Sequence, residues 1–281
     1  MATRLYTFAN GGLPSDDFLT ASNFIAAIKA ALVTGTSKKQ AAGWKLVYES
    51  LSNPNDSSER IVVQSQSANS EQCYYEIIDG INAKLTVYEL WDNTTNAGGG
   101  KSASVYINKI TNWDGNNFIL ADEKFVWIGV THVSSFFGDY DSYVNESKSI
   151  ILGGTTTADG SGNLAIPSHN NNSNVGNRVI YDIDKRALCL RNYHYGWRGW
   201  TIAINYTTKY ETYGNDDSAP YIKKVDILRA TQGKASLKGQ IPHLIYCDRG
   251  LLSGVTANNK NIFYYESFSS IGMFMFEVDE L

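Results

Sequence analysis

The sequence is poor in the residues that most often carry chemistry. It has 3 cysteines, Cys73, Cys189 and Cys247, far apart and without a C-x-x-C pair, so neither a disulfide framework nor a cysteine zinc site is expected. Each stands among apolar or aromatic neighbours, where a thiol behaves as a small hydrophobe. The 4 histidines, His132, His169, His194 and His243, form no i, i+4 pair of the kind a helical metal site uses. There is no G-x-S-x-G elbow, no phosphate-cradling glycine loop and no H-E-x-x-H. The expectation is a non-enzymatic chain without cofactor or metal. A glycan hydrolase would need two convergent carboxylates, which spacing alone neither supports nor excludes.

Clusters of positive charge are missing as well. The formal net charge is −4, and the most basic short stretches, at 37–39 and 222–224, hold two lysines each. Nucleic-acid affinity rests on grouped Lys and Arg, so no nucleic-acid partner is expected. No apolar run reaches the roughly 18 residues that read as a membrane-spanning helix. The amino-terminal "MATRLYTFANGG" has no apolar core of signal-peptide length. Synthesis in a reducing cytoplasm, without membrane contact, is the corresponding expectation.

What is present is apolar and aromatic. Hydrophobic residues make up 43% and aromatics 12% of 281 residues, enough for one large all-β domain or two smaller ones. One segment reads as a helix: Ser22 offers a cap, Phe24, Ile28 and Leu32 recur at four-residue steps, and Gly35 stands at the carboxy-terminal end. After it the period changes to two. Residues 44–48, 60–64 and 84–90 are β-branched and aromatic strands bounded by turn chemistry. Residues 125–130, "FVWIGV", are nearly all apolar, as in a strand covered on both faces. Residues 153–177, rich in Gly, Asn, Ser and Thr, read as a long loop or arm. Further strands are expected at 178–184, 187–195, 200–206, 221–228, 262–265 and 273–278. The fold class is therefore mainly β, an antiparallel sandwich or barrel-like body with one amino-terminal helix. Residues 1–152 and 178–281 form its two β-rich regions, either side of the arm.

Candidate sites are few. "NWDGNN", with Asp114, Asn116 and Asn117, and "GDYDSY", with Asp139 and Asp141, gather oxygen ligands but match no full calcium loop. Asp139 and Asp141 would lie on the same side of a continuous strand. The stretch "RNYHYGWRGW" concentrates aromatics. There Trp200 shares its phase with Ile202 and Ile204 and reads as core, whereas Tyr193, Tyr195 and Trp197 share the other phase. Those three suit a protein interface or core ahead of a sugar-stacking platform. In the carboxy-terminal strand, Phe274, Phe276 and Val278 share one face that would suit contacts with a neighbouring subunit, by pairing edge to edge.

Four stretches follow one another in the order "ALVTGTSKKQAAGWKLVYES", "CYYEIIDGINAKLTVYELWDNTT", "FILADEKFVWIGVTHVSSFFGDYDSYV" and "VDILRATQGKASLKGQIPHLIY". In that order they resemble a group of tailed-bacteriophage virion structural proteins. The likeness spans most of the chain, through Ala41 to Trp44, Tyr74 to Gly80, Tyr88 and Glu89, the strand at 125–130, Gly138 with Asp139, and 241–246. His243 stands where the relatives have glycine, and "DNTTNAGGG" replaces an Asp-rich turn. The resemblance implies a building block of a phage particle at the tail, neck, baseplate or fibre attachment, made in the host cytoplasm and located in the virion. Its partners would be copies of itself and other virion proteins. The alternative is a carbohydrate-binding module that attaches the particle to a host-surface glycan.

Overall fold

A computed structural model describes residues 2–14, 18, 21–50, 59–66, 73–107, 109, 117–130, 133–143, 149–155, 178–186, 188–194, 197–201, 208–211, 222–231, 234–247, 256–257, 260–264 and 273–280. Beyond residue 188, side chains are described at 224–229, 236–245 and 276–280.

The first half of the chain contributes β1 (Arg4–Thr7), α1 (Phe8–Gly11), α2 (Ala21–Lys29), a wide π turn (Ala30–Thr34), β2 (Lys45–Ser50), β3 (Arg60–Gln64), β4 (Tyr74–Ile78), β5 (Ala83–Asp92), β6 (Ala97–Ile107), β7 (Phe118–Ala121), β8 (Phe125–Val130), β9 (Val133–Asp139), β10 (Asp141–Ser142) and β11 (Ile150–Thr155). The second half contributes β12 (Arg178–Asp182), β13 (Cys189–His194), β14 (Trp197–Thr201), β15 (Thr208–Glu211), β16 (Ile222–Thr231), β17 (Lys234–Cys247), β18 (Thr256–Ala257), β19 (Lys260–Tyr264) and β20 (Met273–Val278). The pairing is antiparallel, and the architecture is mainly β with a curled half-barrel sheet, as the alternating apolar pattern implies.

The larger sheet runs β1-β7-β8-β9-β11-β6-β5-β4-β3-β2, with β12 added on β11. The smaller runs β15-β14-β13-β16-β17-β20-β19-β18, with β10 added on β17. The helix lies on one face of the larger sheet. Its Phe24, Ile25, Ala27, Ile28, Ala31 and Leu32 are buried against Ile61, Val63, Tyr75, Ile77, Val87 and Phe137. Burying each large side chain is worth about 1.5–3 kcal/mol, which is how so short a helix is held. Ser22 lies inside the helix, which begins one residue earlier than its expected cap. The carboxy-terminal end follows the expectation: Gly35 takes φ 80°. The chain then folds back, and Ala42, Gly43 and Trp44 donate main-chain N–H groups to the last carbonyls, of Ala31 and Leu32. That return is the structural meaning of "AAGW".

The second core lies between the sheets. Phe118, Leu120, Phe125, Trp127, Phe136 and Ile151 of the larger sheet meet Val225, Ile227, Ile241, Leu244, Phe276 and Val278 of the smaller. Alternate residues of β7 and β8 enter the two cores, so "FVWIGV" is covered on both faces, as its composition implies. Among the described residues, strands β2 to β6 supply none to this second core.

Three differences from the sequence reading have physical causes. Strand β6 begins in "AGGG", a glycine run that argues against a strand, yet the ring of Tyr88 lies on Gly98 where a Cβ would come within 2.3 Å of it. Strand β11 continues to Thr155 through Gly153, because Gly153 faces the Phe136 ring, 2.3 Å from where its Cβ would stand. Residues 153–155 of the expected arm are thus strand, residues 156–177 lie outside the described residues, and β12 pairs beside β11 on the same sheet. The chain passes to the smaller sheet after Asp182 and before Cys189.

Strand β20 is not an edge. It is paired on one side with β17 and on the other with β19, so the expected edge-to-edge contact with a neighbour is closed to it. Phe276 is fully buried, 5.6 Å from Phe118 and 5.0 Å from Trp127 between ring centroids, and fills the core instead of an interface. The side chain of Phe274, paired through its backbone with Tyr246, lies outside the described residues.

Candidate functional site

The face of β2 to β5 turned away from the helix carries a layer of aromatic and charged side chains, in which Val62, Gln64, Glu76 and Thr86 are buried and the tyrosines partly exposed. The register aligns Tyr48, Val62, Glu76 and Thr86 in one row, and Gln64, Tyr74 and Tyr88 in the next on the same face. A bulge after Tyr88 brings Trp91 into the layer, with ring centroids 6.2 Å from Tyr48, 6.5 Å from Tyr74 and 6.2 Å from Tyr88. The three tyrosines remain partly exposed while Trp91 is nearly enclosed by them. Beside them the guanidinium of Arg60 lies 4.6 Å over the Tyr48 ring and donates to Glu76 at 3.1 Å. Tyr88 donates its hydroxyl to the other oxygen of Glu76 at 3.0 Å. Burial, then the Glu76 charge, raise the Tyr88 hydroxyl above its ordinary value, so it stays a donor. Tyrosine, tryptophan and arginine around a half-buried ion pair are the composition of energetically important contact surfaces.

Behind this face the quoted motifs converge on one polar joint. The turn between β7 and β8 is closed by Asp122, whose Oδ1 accepts the main-chain N–H groups of Lys124 and Phe125, both at 2.8 Å. The Trp44 indole donates to the Asp122 carbonyl at 2.6 Å. From the smaller sheet, β17 loops out at 241–244, where its register with β16 jumps from Lys224–Ile245 to Asp226–Gln240. The loop sends His243 Nε2 to Asp122 Oδ2 at 2.8 Å, while its Nδ1 meets the Thr3 hydroxyl at 3.2 Å. His243 takes φ 64°, a conformation that favours glycine. Burial alone would raise the Asp122 carboxyl; the His243 hydrogen bond and charge, with the two amides, hold it below its ordinary value.

The same joint ties the two ends of the chain. Thr3 donates its N–H to Asp279 at 2.9 Å, and Arg4 Nε pairs with Glu280 at 3.0 Å. Hydroxyl, imidazole and carboxylate thus stand in a row, with Thr3 buried, and the row fastens the segment before β1 to both sheets.

The expected site residues fall apart. Asp139 ends β9 in the larger sheet and Asp141 opens β10 in the smaller, with the chain crossing between sheets at Tyr140. They do not share one strand: Asp139 is buried, whereas Asp141 is exposed and paired with Lys124 at 2.6 Å. Among the described residues, no group of three or more His, Cys, Asp or Glu could hold a metal ion. Asp114 and Asn116 lie outside the described residues; Asn117 is buried.

"RNYHYGWRGW" folds as a hairpin of β13 and β14, pairing Tyr193 with Arg198, His194 with Trp197, and Arg191 with Trp200. Positions 193 and 197 therefore fall on alternate faces, whereas the sequence reading gave Tyr193 and Trp197 the same phase. Tyr195 lies outside the described residues, as do the side chains of Tyr193 and Trp197. The aromatic layer on β2 to β5 was missed because Tyr48, Tyr74 and Tyr88 come from three separate strands. Its signal was the second phase of those strands, in which Arg60, Tyr74, Glu76 and Tyr88 alternate with buried aliphatics.

Compared with known proteins, the chain matches no family model and no curated protein. Among the described residues, no helix is long and apolar enough to cross a membrane.

Proposed function

We propose that the chain is a non-enzymatic structural component of a tailed-phage virion, assembling with copies of itself and with other virion proteins. The observation that carries this reading is the aromatic face of β2 to β5. Tyr48, Tyr74, Tyr88 and Trp91 form a preformed layer on the face of β2 to β5 turned away from the helix, with the three tyrosines partly exposed. Arg60 and Glu76 give that layer polar anchors that fix a partner's register. The order of the motifs along the chain, which resembles that of virion structural proteins, supports the same reading.

A second reading takes the same face as a platform for host-surface glycan. The observation favouring it is the combination of partly exposed tyrosine rings with an Arg–carboxylate pair, since sugars stack on the former and hydrogen-bond to the latter. One pair of substitutions separates the two. Tyr48→Ser with Tyr74→Ser, in a chain that retains its folded circular dichroism, should fall out of purified particles as quantified by mass spectrometry. Unchanged incorporation overturns the interface reading, and loss of glycan-array binding with incorporation intact establishes the second.

A further inference from the structure

A third feature lies in the core behind β4 and β6 and takes no part in either the face or the joint. Lys109, which follows β6, is fully buried, and its Nζ contacts Asp79 Oδ1 in the turn between β4 and β5. The side-chain exposures are 0% for Lys109 and 2% for Asp79. Asn82 holds the Lys109 main chain by accepting its N–H at 3.1 Å, the Gly80 carbonyl accepts from Nζ at 3.2 Å, and the Phe24 ring lies 5.1 Å from Nζ. Glu59 joins the cluster through its main-chain carbonyl, which accepts the Asp79 N–H at 2.8 Å. Its side chain is buried, with Oε2 lacking a hydrogen-bond partner among the described residues.

As a salt bridge alone this arrangement is costly. Two full charges are removed from water, and a third carboxyl, electrostatically coupled to both, is buried with one oxygen unpartnered among the described residues. An amine and a carboxyl held in contact in a dry site are, however, the two halves of an amide, and holding them there supplies the proximity that the uncatalysed condensation lacks. We propose that Lys109 and Asp79 condense into an intramolecular isopeptide bond, with Glu59 as the proton-transfer group.

A proton passes from the Lys109 ammonium to the Asp79 carboxylate, giving a neutral amine and a neutral acid. The Nζ lone pair attacks Asp79 Cγ and the Nζ–Cγ bond forms. Protonated Glu59 gives its proton to the departing oxygen while its other oxygen takes one from Nζ, the Cγ–Oδ bond breaks, and water leaves with two protons. No electron is gained or lost and Glu59 ends unchanged. Burial raises the Asp79 carboxyl against the pull of Lys109; burial and the Asp79 charge raise that of Glu59. Both shifts favour the protonated acids that this chemistry uses. The product exchanges a buried ion pair for a neutral amide and staples β4 to β6 across β5, which lies between them.

The experiment is mass spectrometry of the full chain, unfolded and digested after native purification. The expected result is a branched peptide joining Lys109 to Asp79, lighter than its two parts by one water. Wild-type chains should be almost entirely linked, and Lys109→Arg should carry no link. Glu59→Gln, checked for folding by circular dichroism, should lose the link while keeping both reacting groups. Recovery of Lys109 and Asp79 in separate, unmodified peptides from folded wild type overturns the proposal. So does a Glu59→Gln chain linked to the wild-type extent.

Discussion

Asp122 is gripped from both sides: its carbonyl accepts the Trp44 indole N–H at 2.6 Å, and its carboxylate accepts from His243 at 2.8 Å. The first contact reaches from the return after the helix, the second from the smaller sheet, so one tight turn between β7 and β8 sets the position of three parts of the chain. Lys124 of the same turn accepts the Asp139 N–H at 2.9 Å on its carbonyl, where Gly138, at φ 132°, leaves no room for a Cβ. Four motifs separated by tens of residues are thus one assembly.

Removing the Asp122 carboxylate should be expensive and should change the response to acid. Asp122→Ala leaves His243 and the amides of Lys124 and Phe125 without their acceptor, a loss of about 2–4 kcal/mol near neutral pH. The folded-state value is depressed, so the contribution is complete above the unfolded value of about 3.9 and disappears as pH falls through the folded value. Urea titrations should show the wild-type advantage shrinking from about pH 5 to about pH 2. A constant gap across that range would show that the carboxylate charge is not the source.

At His243 the backbone and the ring make opposite demands. The φ of 64° costs a β-carbon residue about 1 kcal/mol, whereas the ring supplies hydrogen bonds to Asp122 and Thr3. His243→Ala keeps the strain and loses the bonds; His243→Gly loses both. Glycine should therefore be the more stable of the two variants by about 1 kcal/mol, with wild type above either. An alanine variant at least as stable as the glycine variant would contradict the strained geometry.

These positions show what the residue pattern discloses and what it cannot. The helix at Phe24, Ile28 and Leu32, the strands at 60–64, 125–130 and 273–278, and the double burial of "FVWIGV" follow from period and composition, since each is set by local chemistry. The aromatic layer, the Asp122–His243 contact and the Lys109–Asp79 contact depend on which strands become neighbours. Antiparallel register fixes those partners over separations that no short window contains. The same limit explains "RNYHYGWRGW", where the antiparallel pairing of β13 with β14 changes which residues share a face.

Gly98 and Tyr88 should behave as a coupled pair. A side chain at Gly98 would occupy the place of the Tyr88 ring, so Gly98→Val should displace the ring and its bond to Glu76, at about 1–3 kcal/mol. In a Tyr88→Ala background most of that penalty should vanish. A double-mutant cycle by thermal unfolding measures the coupling, and full additivity would mean that the ring does not shield this strand.

Trp127 gives the last test, because it joins the two sheets by packing and by one buried hydrogen bond, from Nε1 to the Pro242 carbonyl at 3.0 Å. Trp127→Phe keeps an aromatic ring between Phe136 and Phe276 but deletes the donor and part of the volume, for an expected loss of about 1–3 kcal/mol. Pro242 and His243 are adjacent in the segment that loops out of β17, so the two contacts hold the same few residues. Once Trp127→Phe has released Pro242, His243→Ala should cost less than it does in wild type, because the segment is already free to leave Asp122. Chemical denaturation of the single and double variants measures this directly. Strict additivity would show that the loop is held independently at its two residues, and the joint would then be two fastenings instead of one.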